Sequence, residues 1–120
     1  MLPRRLERLP ARPLDSGGIV HEAATPAARL LGLAFLDDLP YDHALLIPHC
    51  RSVHTFGMRF PLDVVFVDER GGVLRASFGV PRRRVLFCRG AFAVLEANPG
   101  EAVLFTPLSP PAARGAGSAP

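Results

Sequence analysis

The sequence predicts a mainly β fold, a compact β-sandwich or partly closed barrel carrying one short N-terminal helix over about residues 26–34. Three observations point there. Short apolar runs recur from Ala44 to Phe105, turn-forming Gly, Pro and Asp residues separate them, and a helix-type pattern occurs once, early in the chain.

The helix comes first. Thr25 suits the N-cap and Pro26 the first helical position. Ala27, Ala28, Leu30, Leu31 and Leu33 supply helix formers with an apolar face, and Gly32 and Asp37-Asp38-Leu39-Pro40 limit its length. Ala44–Ile47 is a short strand closed by Pro48. Leu62–Val67 is apolar on both faces except at Asp63, as a central strand would be. Asp68–Gly72 forms a turn into a partner strand, Val73–Val80, and Pro81–Arg84 forms the next turn. Val85–Cys88, Phe92–Leu95 and Ala102–Phe105 complete the expected strands. Before the domain proper (residues 19–105), residues 1–18 read as an Arg/Pro-rich arm or edge strand. Residues 106–120 read as a disordered Pro/Ala/Gly tail, since little there can be buried.

The 120 residues fit one domain, and 48% apolar content supplies a core. The net charge is +3 and the pI about 9.6, but the excess lies in the ends. Residues 19–105 hold nine Arg and nine acidic residues. A nucleic-acid-binding domain usually carries its basic face on the folded part, so no nucleic-acid partner is expected. All 14 basic residues are Arg. No stretch approaches a membrane span and none resembles a secretory signal, so no membrane association and a cytoplasmic location are expected, with Cys50 and Cys88 free.

Chemistry-bearing residues gather between His49 and Asp63, where two His, a Cys, two Arg and an Asp occupy fifteen positions. A Cys50–His54 dyad or metal pair fails on distance in a straight strand, because four residues span roughly 13 Å and ligands must sit about 2.0–2.3 Å from a zinc ion. No Cys-x-x-Cys supplies a second pair, so neither a metal nor another cofactor is expected. His54 is either a hydrogen-bonded, half-buried residue or a polar contact at a cleft floor. Asp63 opens an apolar strand, and a buried carboxyl needs a partner or takes a raised pKa. Arg29 and Arg59 are its expected partners. Glu96 ends an apolar strand and admits the same two readings: structural ion pair or pocket lining. Arg29, His54, Arg59, Asp63 and Glu96 are therefore the candidate binding residues.

These segments resemble the domain-of-unknown-function 192 family. The likeness is carried by Arg29-Leu30-Leu31-Gly32-Leu33, by Val53-His54-Thr55 followed by Met58, by Phe60–Asp68, by Val80-Pro81 with Arg83, and by Val94-Leu95-Glu96 with Gly100, over roughly residues 20–101. The resemblance implies a sandwich-like β fold and no assigned activity. The chain departs from the family pattern after Glu96, where Asn98-Pro99-Gly100-Glu101 replaces a Gly-Asp turn. Many relatives also carry an export signal, and this sequence shows none.

Three function classes compete. The first is a small-ligand-binding or accessory domain without assigned catalytic activity, which expects Arg29, His54, Arg59 and Asp63 to converge on one cleft. The second is an enzyme acting on a small polar substrate with His54 and Asp63 as acid and base. The third is a protein-interaction module using the arm and tail to hold a protein partner.

Overall fold

The run LDVVFV becomes a strand buried at every position, and the rest of the sheet assembles around it. In the computed structural model, which describes residues 2–107, the chain runs α1 (Arg4–Glu7), β1 (Ala11–Pro13), β2 (Ile19–Glu22), α2 (Pro26–Leu31), β3 (His43–Pro48), β4 (Ser52–His54), β5 (Leu62–Val67), β6 (Val73–Val80), β7 (Val85–Phe87) and β8 (Ala93–Ala97), ending in a 3-10 turn (Ala102–Leu104). Six strands form one open sheet in the order β1-β2-β3-β8-β5-β6, and β4 and β7 form a separate two-stranded ribbon. Only the β2–β3 pair is parallel within the six-stranded sheet, its crossover carrying α2. The fold is thus mainly β, with two layers and no closed barrel.

Alternation along β5 and β8 divides the core. Val64, Phe66 and Val94 face one side with Leu45 and Ile47, under Leu6, Leu33, Val53, Met58 and Leu86. Val65, Val67, Ala93, Leu95 and Ala97 face the other, under Val20, Ala102 and Phe105. Strands covered on both faces need apolar residues at every position, which explains why β5 and β8 lack the usual polar alternation.

Three local outcomes depart from the sequence reading. The helix stops at Leu31, because Gly32 takes φ +53° and its N–H returns to the Ala28 carbonyl. Thr25 caps the other end, its Oγ1 accepting from the Ala28 N–H at 3.0 Å. The arm contributes edge strand β1 and also α1, whose Leu6 is 1% exposed in the core. From α1, Arg5 donates to the carbonyls of Gly32 and Ala34 at 3.0 and 2.7 Å, latching the chain that leaves α2. The expected last strand, Ala102–Phe105, is the 3-10 turn instead. The tail from residue 108 onward lies outside the described residues.

Asp63 explains that last change. Its carboxyl sits in the buried face beside Val65, and neither Arg29 nor Arg59 is its partner. Its Oδ1 accepts from the Gly79 N–H at 2.9 Å. Its Oδ2 accepts from the Gly100 N–H at 2.9 Å and the Ala102 N–H at 3.4 Å. The β5–β6 register slips at this point, Leu62 facing Val80 and Val64 facing Ser77, so Phe78 and Gly79 together oppose Asp63. The side chain supplies acceptors that the bulged ladder lacks, and it ties the segment after β8 into a turn rather than a strand. Removing these acceptors leaves three backbone donors unpaired, at about 1–3 kcal/mol each. Asp63→Ala is expected to lower unfolding stability by roughly 3 kcal/mol or more in urea denaturation, with Asp63→Asn losing less because it retains one acceptor oxygen. A loss under about 1 kcal/mol for Asp63→Ala would show that the bulge and turn hold without it.

Candidate functional site

Four polar or charged side chains of the described residues are buried: His21, Thr55, Asp63 and Glu96. Buried polar groups demand partners. Asp63 and Thr55 have them, His21 is engaged through Nε2 while its Nδ1 has no hydrogen-bond partner among the described residues, and Glu96 Oε1 has none either. Asp63 has its backbone donors. Thr55 donates from Oγ1 to the Pro81 carbonyl at 2.7 Å and accepts from the Arg84 N–H at 2.8 Å, which pins the Pro81–Arg84 turn to the end of β4. His21 Nε2 lies 2.8 Å from His43 Nδ1, with the rings stacked at 5.0 Å. Burial, and then the neighbouring His43, hold the His21 pKa below its ordinary value.

Glu96 is different. It is 3% exposed, and its Oε1 has no hydrogen-bond partner among the described residues. It lies in β8, opposite Leu45 on one side and Val64 on the other, so strand register places it on the face covered by α2 and the β4–β7 ribbon. There it lines a pocket of about 240 Å³ whose other walls are Arg29, Leu30, Leu31, Gly32 and Leu33 from the α2 region, Ile47 from β3, Ser52, Val53 and His54 from β4, and Met58. Burial pushes the Glu96 pKa up from 4.5 to about 7, since desolvation penalises the charged form.

Gly32 makes room for this carboxyl. A Cβ at that position would lie 3.2 Å from Glu96 Oε1, and the φ of +53° is one that L side chains rarely adopt. Arg29 lines the same pocket with its guanidinium already engaged: Nη1 donates to the Pro48 carbonyl, and Nη2 to the His49 carbonyl at 2.9 Å. His54 is exposed at the rim, its Nδ1 accepting from the Phe56 N–H at 3.2 Å. That contact assigns the proton of the neutral ring to Nε2.

Of the five candidate residues, Arg29, His54 and Glu96 meet at this pocket, and Arg59 and Asp63 do not. Arg59 forms an exposed ion pair with Asp37 at 2.5 Å. Asp63 points to the opposite sheet face, one residue from Val64 and therefore reversed by the pleat. The expected convergence of Arg29, His54, Arg59 and Asp63 does not occur, and a His54–Asp63 acid–base pair has no geometric basis. Gly32, expected only to stop the helix, proves to be pocket wall together with Val53 and Met58. The sequence clue to them was Gly32 directly after a helix, a position whose spatial neighbour only the fold reveals. Among the described residues no three His, Cys, Asp or Glu side chains cluster to hold a metal ion, and no helix is long and apolar enough to cross a membrane. Both cysteines are free.

Fold and site together define a two-layer, mainly β domain with a carboxyl-floored pocket between its layers. The chain belongs to the domain-of-unknown-function 192 (DUF192) family, described as Uncharacterized ACR, whose family model matches residues 17–105. Two solved structures share the fold. A protein of unknown function from Novosphingobium aromaticivorans DSM 12444 is 25% identical, with a TM-score of 0.63 over 78% of this chain and 75% of that one. A protein from Sinorhizobium meliloti 1021, titled a "putative transcription regulator", is 23% identical, with a TM-score of 0.63 over 83% of this chain and 85% of that one. No curated protein matches the chain. The family and the first of these neighbours carry no assigned activity.

The raised Glu96 pKa has a consequence for stability. The folded state binds a proton more tightly than the unfolded chain, so the contribution of Glu96 is complete below pH 4.5 and is lost as pH rises through about 7. At 1.36 kcal/mol per pKa unit the loss is roughly 3 kcal/mol. Urea unfolding of wild type and Glu96→Gln between pH 4.5 and 8 is expected to show wild type losing about that much relative to the variant. Parallel pH profiles would mean that Glu96 is paired or solvated.

Proposed function

We propose that this protein is a small-ligand-binding domain, and that the pocket between α2 and the β4–β7 ribbon is its binding site, with Glu96 at the floor and Arg29 and His54 on the walls. The observation that carries the reading is the Glu96 carboxyl, buried and with its Oε1 unpartnered, lining a cavity of about 240 Å³. A buried polar atom left without a partner costs on the order of 1–3 kcal/mol, and a ligand that supplies the missing donor recovers it. Apolar walls with a few convergent polar groups are the usual make-up of a small-molecule site.

Binding without catalysis fits better than the enzyme reading, because His54 and Asp63 lie on different faces of the sheet. The charge balance of residues 19–105 supports a small-molecule partner over a nucleic acid. The same proposal places the protein in the cytoplasm, where Cys50 and Cys88 would stay reduced.

A thermal-shift panel of amines, amino acids, sugars, nucleotides and phosphates tests the site. A ligand at 100 times its dissociation constant stabilises by about 2.7 kcal/mol, several degrees for a domain of this size. The expected outcome is a compound whose shift disappears in both Glu96→Leu and Ser52→Trp, the latter filling the pocket from an exposed rim position. Shifts that survive both substitutions, or no shift across the panel, would overturn the reading.

A further inference from the structure

Resting on that binding-site reading, we infer that the pocket takes a small organic cation, a primary ammonium or guanidinium head on a short apolar body. The floor sets the head. An ionised carboxyl is an acceptor only, with two oxygens and no proton to give. Glu96 Oε1 has no donor aimed at it, and no ion pair reaches the residue among the described residues. The one cation in the pocket lining does not serve it, because Arg29 spends Nη1 and Nη2 on the carbonyls of Pro48 and His49. A buried charge is tolerated when it is paired, and here the position of the partner is open to the pocket.

Gly32 keeps it open. With no Cβ, the end of α2 passes the carboxyl without covering it, and any larger residue would begin 3.2 Å from Oε1. Arg5 fixes this passage through the Gly32 and Ala34 carbonyls, so the gap belongs to the folded arm as well as to the sheet.

The walls set the body. Leu31, Leu33, Ile47 and Val53 offer no donor or acceptor on their side chains, and Met58 only a weak thioether acceptor. The cavity of about 240 Å³ is equivalent to about eight water molecules at roughly 30 Å³ each. A ligand with a cationic head and a body of four or five carbons fits that space. An anionic head would meet the carboxyl directly, and a neutral hydroxyl would gain a hydrogen bond without charge pairing.

The pH dependence follows from the groups that face Glu96. They are Arg29 on α2 and His54 on β4, while β3 contributes Ile47 and β5 presents Val64 beside it. Ionisation of Glu96 near neutrality strengthens cation binding as pH rises, and the ring-bearing polar group at the rim is His54. A His54→Gln variant isolates the contribution of Glu96.

The test is a matched series on the full chain by calorimetric titration: isoamylamine, isoamyl alcohol and isovalerate at pH 8, then isoamylamine from pH 5.5 to 8.5. The expected result is amine binding at least tenfold tighter than the alcohol, with no isovalerate binding. Affinity for the amine should rise about tenfold per pH unit below 7 in both wild type and His54→Gln, and binding should be lost in Glu96→Gln. Alcohol or isovalerate binding as tight as the amine, with the pocket substitution Ser52→Trp still abolishing it, would overturn the ligand class and leave the binding site standing. A wild-type ranking in which the amine is not the tightest of the three ligands overturns the class independently of whether Glu96→Gln folds. If none of the three binds, the cation inference is wrong, and the broader panel decides separately whether the pocket binds anything.

Discussion

The ladder between β5 and β8 is the constraint on which the rest depends. Asp63 to Val67 pairs with Ala97 to Ala93 residue by residue, and every one of those ten side chains is buried. A strand pair covered on both faces obliges the chain to supply two covering layers. The α2 region, α1 and the β4–β7 ribbon provide one, and the 3-10 turn with Phe105 provides the other. The same ladder carries two carboxyl side chains, at neighbouring positions, into surroundings that disfavour charge.

The two acids meet that problem in opposite ways, and the pleat decides which. Asp63 falls on the face where the β6 bulge and the turn after β8 leave backbone N–H groups without ladder partners, so acid and donors satisfy one another. Glu96, paired across the ladder with Val64, falls on the other face. There Gly32 passes beside the carboxyl with its N–H already bonded to Ala28, and the arginine that shares the pocket lining is fastened to two carbonyls. One carboxyl is a structural cross-link and the other is left facing a cavity. The protein tolerates the second at a cost that varies with pH, which is the usual signature of a group kept for something other than stability.

Much of the motif around His54 is architecture. Thr55 clamps the Pro81–Arg84 turn through both its donor and its acceptor, and Gly57 adopts φ +83° where a Cβ would strike Phe35 and Ala34. Met58 is 3% exposed and belongs to the core as well as to the pocket wall. The segment thus sets the position of β4 over the sheet, and through β4 the distance between His54 and Glu96, which lie 42 residues apart in the chain.

Local chemistry made a large part of the fold legible. The apolar run of β5, broken only by Asp63, the Asp68–Gly72 turn, the full length of β6 and the Thr25-Pro26 start of α2 were all readable, because each is governed by neighbours in the chain. Strands β2 (IVHE) and β4 (SVH) and the α1 turn (RRLE) were not, since segments this short and partly polar lack the apolar run that announced the equally short β7 (VLF). The sequence by itself determined that Asp63 and Glu96 would be buried acids, because each sits in an apolar strand. Which of them would be satisfied was decided only by the tertiary structure. Partners for a buried group come from whatever the other strands and turns bring to its face of the sheet, and that depends on register and on contacts between residues far apart in the chain.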